Sequence, residues 1–192
     1  MAEMTIHHLT REDIDRNLDP GRLRLAQILQ FALTAGPVSF LGVVLLIRFT
    51  AGPAEAVADS PTRLLLMVLG PLAVANYALA VFLDRLILAP DKLQARLPAQ
   101  DDPAGWVGAM MNQHRTLLII RMAVLEAASF YGLVIVLVGA TDGSLAQQPS
   151  LWLGVLPTVI QLLFSVATFP SRSNLVQFLD QRMVKPLQRI SD

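Results

Sequence analysis

Apolar side chains dominate four stretches of the chain, at 25–47, 64–87, 116–140 and 150–170. Each approaches or exceeds the roughly 20 residues that, at 1.5 Å per residue, carry a helix across about 30 Å of hydrocarbon. A buried helix of a water-soluble bundle would show a polar stripe at helical spacing. Residues 41–47 and 151–160 show none. The pattern predicts an all-α, four-helix transmembrane bundle with short amphipathic cytoplasmic helices. Four spans leave little of a 192-residue chain over, so a single membrane domain over 1–192 is expected.

The flanks of the spans carry signals of their own. Thr10-Arg11-Glu12-Asp13 reads as a helix start, with Thr10 as N-cap and acids in the first turn. Leu9, Ile14 and Leu18 would lay that short helix on the membrane surface. Prolines 90 and 98 bracket a short charged helix in the central loop. Asp101-Asp102-Pro103 starts another helix, with Asp as N-cap and Pro at N1, which runs on to position 138. Trp106, Met110 and Met111 would lie at the membrane interface. Beyond Pro170, Leu175, Phe178, Leu179 and Met183 recur at three- and four-residue spacing, an amphipathic helix for the inner surface or for a partner. Pro37, Pro71 and Pro157 fall inside spans, as bends in the packing or as hinges.

Only 16% of the residues are charged, against about 25% in an ordinary soluble domain. Their placement sets a topology. Arg11, Arg16, Arg22 and Arg24 precede span one. Arg85, Lys92, Arg96 and Arg115 lie between the apolar cores of spans two and three. Arg172, Arg182, Lys185 and Arg189 follow span four. The two remaining loops hold only Arg48 and Arg63, so twelve basic residues face two. The positive-inside rule then places both termini and the central loop in the cytoplasm of an inner-membrane protein. Ala56-Val57-Ala58 has the small residues of a signal cleavage site. The 24 residues before span one are too long and acidic for an n-region, so an uncleaved first helix is expected.

Net charge is zero, which excludes a grossly basic nucleic-acid-binding chain, and cysteine is absent. His7, His8 and His114 have no second ligand at metal spacing, and no nucleophile–base pair or phosphate loop stands out. No catalytic residue, metal or cofactor is expected.

Glu126 is the exception inside the spans, because a carboxylate at that depth is costly unless protonated, paired or facing water. Counting from the cytoplasmic ends at 1.5 Å per residue puts Glu126, Thr34, Asn76 and Gln161 all about 14–15 Å deep. The expectation is that the four converge on the bundle axis, as hydrogen-bonding glue or as a proton or cation site. A lipid-facing carboxyl satisfied by a partner chain is the third possibility. Arg121 is about 7.5 Å deep and 140° around the helix from Glu126, so its first expected role is an interfacial cation snorkelling to the headgroups. An interhelical role with Gln30 or a neighbouring subunit is the second. Ala127, Ala128 and Gly132 are small enough to form an oligomer interface in span three.

Two further patterns involve span three. Ser39-Phe40-Leu41-Gly42-Val43-Val44-Leu45 is similar to Ser129-Phe130-Tyr131-Gly132-Leu133-Val134-Ile135. Upstream, Gln30-Phe31-Ala32 answers Arg121-Met122-Ala123, as in a tandem duplication of a two-helix hairpin. The stretch Ala123-Val124-Leu125-Glu126-Ala127-Ala128-Ser129-Phe130-Tyr131-Gly132-Leu133-Val134 resembles the carboxylate-bearing helix of subunit c of rotary ATPases. That resemblance implies that Glu126 binds a proton or sodium ion. The glycine-repeat first helix of that family has no counterpart in spans one and two. The whole layout also resembles small bacterial four-span membrane proteins, a likeness that brings no activity with it. The function expected is a non-enzymatic accessory or structural membrane subunit, in a homo-oligomer or with other membrane subunits. The alternative is an ion-handling module with Glu126 as carrier.

Overall fold

The chain is described by a computed structural model covering residues 9–50, 61–97, 100 and 102–189. His7, His8, Ala56-Val57-Ala58, Pro98 and Asp101 lie outside the described residues. The described residues form helices α1 (Arg11–Asn17), α2 (Pro20–Thr50), α3 (Thr62–Ile87), α4 (Pro90–Arg96), α5 (Pro103–Thr141), α6 (Ser144–Gln147), α7 (Leu156–Ala167), α8 (Arg172–Leu179) and α9 (Lys185–Gln188). No strand occurs among them. A 3₁₀ segment, Pro149–Val155, leads into α7, and a π segment, Asp180–Val184, joins α8 to α9. The stretches 20–50, 62–87, 103–141 and 149–167 are each long and apolar enough to cross a membrane.

The helices gather into two compact units. The first takes in Met1–Gln30, Phe82–Ile120 and Thr168–Asp192, that is, both ends and the middle of the chain. It carries twelve of the fifteen basic residues, all but Arg48, Arg63 and Arg121. Within it α1 starts on a complete capping box. The Asp13 N–H donates to Thr10 Oγ1 at 3.2 Å, and the Thr10 N–H donates to Asp13 Oδ2 at 3.0 Å. Asp102 caps α5 by accepting from the Gly105 N–H at 2.7 Å.

The core of this unit corrects three expectations. Leu9, Ile14 and Leu18 are buried in protein, and so are Trp106, Met110 and Met111. Leu175, Leu179 and Met183 are also buried, with Phe178 half-buried and its ring edge-to-face with that of His114, centroids 4.9 Å apart. The apolar faces of these amphipathic ends are covered by protein and are not free to face a membrane surface. α1 packs on α8 and α4 on α9, so each apolar stripe finds the others. Arg172 fastens the seam by donating to Asp15 Oδ1 and to the Asp15 carbonyl, both at 2.6 Å. Gln188 adds a bond to the Leu9 carbonyl at 3.3 Å.

The second unit is Phe31–Val81 with Arg121–Ala167. Ile135, Val136 and Ala140 of α5 form its core with Val44 of α2, Leu69 of α3, Leu145 of α6 and Leu151. Outside this core the long helices stay apolar: Phe31 is 73% exposed, Val74 69% and Val166 76%. Water does not tolerate so much contiguous apolar surface. Pro37 and Pro71 sit inside unbroken helices α2 and α3. Pro157 lies inside the span 149–167, in the first turn of α7, where its missing N–H is no loss. It also bears on the bond at the junction of the 3₁₀ segment with α7. An α-helix would need the position-157 N–H to reach the Leu153 carbonyl; the Leu156 N–H takes that acceptor instead.

Candidate functional site

The position of Glu126 follows from how α5 divides its faces within the second unit. Met122, Leu125, Ser129, Leu133 and Val136 are buried, whereas Ala123, Ala127 and Val134 are exposed. Glu126 is half-buried at the edge of the exposed stripe. Its Oε1 stands 2.8 Å from the point where a Cβ on Gly36 would be, so the carboxyl lies directly against the α2 backbone. Four residues on, the Phe40 and Phe130 rings meet at 5.6 Å between centroids. The equal steps from 36 to 40 and from 126 to 130 show α2 and α5 packed side by side in the same direction. Among the described residues, Glu126 makes no hydrogen bond and no ion pair.

The other three polar residues do not join it. Thr34 pairs with Ser165, hydroxyl to hydroxyl at 2.8 Å. Gln161 is 1% exposed, with neither Nε2 nor Oε1 hydrogen-bonded. Thr158, one turn away, has a buried Oγ1 in the same condition, and so does Nδ2 of half-buried Asn76. None of the four sequence-selected residues bonds another, so the expected convergence is not formed. Helical geometry gives the reason. α5 meets the 3₁₀ segment at Gly132, where the Gly132 and Gly154 backbones touch so closely that neither tolerates a Cβ. Glu126 is six residues earlier, 600° of helical turn or about 120° away from that contact, on the side of α2.

Other polar side chains tie helices together instead. The Tyr77 hydroxyl donates to the Pro157 carbonyl at 3.1 Å, and the Tyr131 hydroxyl to the Leu65 carbonyl at 3.4 Å. Thr62 and Ser144 hydroxyls pair at 3.4 Å. Arg121 departs from the snorkelling expectation. Its Nε donates to the Ala80 carbonyl at 3.2 Å, and its Cζ lies 5.6 Å from the Phe164 ring centroid. A carbonyl and an aromatic face substitute for water on the guanidinium, so it serves between helices.

The oligomer surface expected in span three is likewise corrected. Ala128 and Gly132 are buried within the chain, and only Ala127 is exposed. Sequence reasoning missed Gly36, Ser165 and Gly154 as contact residues. Gly36 had a signal: it stands in span one where Glu126 stands in span three, by the interval that relates the two similar blocks. Comparison of the chain with protein-family models, with curated proteins and with solved structures finds no match.

Proposed function

We propose that this is a non-enzymatic, multi-pass inner-membrane protein with cytoplasmic termini, an assembly subunit that presents Glu126 to a partner chain within the bilayer. One observation carries the reading: a carboxyl near mid-span has no donor among the described residues of its own chain and sits at the edge of an exposed apolar stripe. Such a group is costly in hydrocarbon until something bonds it. The neighbouring polar residues are spent on internal bonds or buried apart from it, so the donor comes from outside. A second copy or another membrane subunit supplies it across the small residues Ala123 and Ala127.

Native gels of the solubilised protein, with Glu126→Gln and Glu126→Leu, test this. The wild type and Glu126→Gln, which keeps hydrogen-bonding capacity, migrate as a complex, and Glu126→Leu falls to the monomer. An unchanged complex in Glu126→Leu removes the reading. The resemblance of 123–134 to the carboxylate helix of subunit c favours a second reading, a proton or cation carrier. It predicts labelling of Glu126 by a hydrophobic carbodiimide in native membranes that fades as pH rises. Labelling indifferent to pH counts against it.

A further inference from the structure

Two arginines outside the proposed site share one recess in the first unit. Arg22, Leu25, Ala26, Met111, Asn112 and Arg115 line it. Ala26 and Met111 are buried and floor it with apolar surface, whereas Arg22 and Asn112 are exposed at its mouth. No acidic side chain among the described residues lines it. Arg22 reaches Asp19 only at 4.0 Å, the limit of an ion pair, with both side chains about half exposed. Arg115 has no hydrogen bond or ion pair among the described residues. Gly108 shapes the recess: the Arg22 guanidinium lies across it, with Nη1 2.6 Å from where a Cβ would stand. Any other residue at 108 pushes the guanidinium away.

The sequence places this recess at a particular level. Arg22 is three residues ahead of the apolar run that starts at 25, and Arg115 is one residue ahead of the run that starts at 116. Arginines before a span serve topology wherever they point. Here two of them, on different helices, converge on one opening at the depth of lipid headgroups. We infer that this shallow recess, about 20 Å³ inside, marks where an anionic phospholipid headgroup docks, its phosphate lying across the mouth between Arg22 and Arg115 and its upper chain resting on exposed Leu25. Guanidinium forks match phosphate oxygens in bidentate fashion, and an Asn amide offers a further donor. The inference rests on the membrane-spanning reading above.

The experiment is native mass spectrometry of the full chain released from detergent, with phosphatidylglycerol and phosphatidylcholine added in parallel and inorganic phosphate as a third arm. The wild type retains phosphatidylglycerol over phosphatidylcholine, and millimolar phosphate does not displace it. Each guanidinium removed weakens retention about fivefold, and Arg22→Gln with Arg115→Gln together on the order of 25-fold. Arg189→Gln, with the same loss of charge elsewhere in the unit, leaves retention unchanged. Gly108→Ala keeps every charge and moves only the guanidinium, so it reproduces the loss seen for Arg22→Gln even if the double variant fails to fold. Equal retention of the two lipids, or undiminished retention in both Gly108→Ala and the double variant, overturns the inference. Displacement by phosphate overturns the lipid assignment. Carbonate extraction of cell membranes is read alongside: a chain that washes off fails the membrane reading itself, whereas one that stays without lipid preference fails only this inference.

Discussion

The blocks at 39–45 and 129–135 are alike in sequence and opposite in use. Gly42 of the first is exposed and has nothing within 4 Å of where its Cβ would be. Gly132 of the second is buried with its backbone against that of Gly154. Six residues earlier a different contrast appears, where Gly36, in register with the first block, leaves the space that Glu126, in register with the second, fills. Likeness along the chain therefore did not produce likeness of environment. Half of the most apolar window of α5 is buried, against 17% in α2, which is why one glycine is packed tightly and its counterpart a gap.

The comparison breaks most easily at Gly132. Gly132→Leu forces a side chain into the Gly154 backbone, which cannot swing aside, and is expected to cost about 3 kcal/mol or more. Gly42→Ala is expected to change stability by less than about 1 kcal/mol, in the stabilising direction, because alanine favours the helix and meets no neighbour. Thermal unfolding in detergent measures both, and similar losses at the two sites would refute the contrast. Next is Arg121, whose counterpart by the upstream similarity is Gln30. Arg121→Gln removes the cation from the Phe164 face and misplaces the donor to Ala80, for about 1 kcal/mol in the same assay. Gly36→Ala is smaller still, since the displaced group is the flexible end of Glu126. Its signature is altered carbodiimide reactivity of Glu126 with little change in melting.

The smallest effect lies outside the paired stretches, in the cap of α1. The Thr10 hydroxyl, donating to the Asp13 carboxyl, holds it below the ordinary value of 3.8, with the Thr10 backbone N–H adding to this. A lowered carboxyl stabilises the fold fully above its unfolded pKa and loses that contribution as pH falls through the folded value. Hydrogen exchange of the α1 amides, corrected for intrinsic rates, should match between wild type and Asp13→Ala well below pH 3.8. It should be slower in the wild type at neutral pH.

The four long apolar helices and the caps at Thr10 and Asp102 were legible in the sequence, because length, composition and N-cap chemistry are local. The special standing of Glu126 was legible too, since any carboxyl at that depth demands an account. Its surroundings were not. Equal depth along the spans says nothing of azimuth, and azimuth sends Glu126 to α2 while Thr34 goes to Ser165. For Arg121 an interhelical role was the second expectation, but its acceptor was not legible, because a carbonyl such as that of Ala80 leaves no trace in residue identity. The amphipathic ends were legible as amphipathic, but the stripe of Leu175, Leu179 and Met183 left the inner surface and a protein partner both open, since it looks the same whether lipid or protein covers it.

The pairing of α1 with α8 has a consequence for how the chain is made. Leu175 follows Ile14 by 161 residues, so at ordinary synthesis rates the wait between them is roughly 10–30 s. Throughout that interval the apolar face of α1 lacks the helix that packs on it. Chaperone dependence during synthesis, and rapid proteolysis of chains truncated before α8, are the expected consequences of pairing two helices so far apart in sequence.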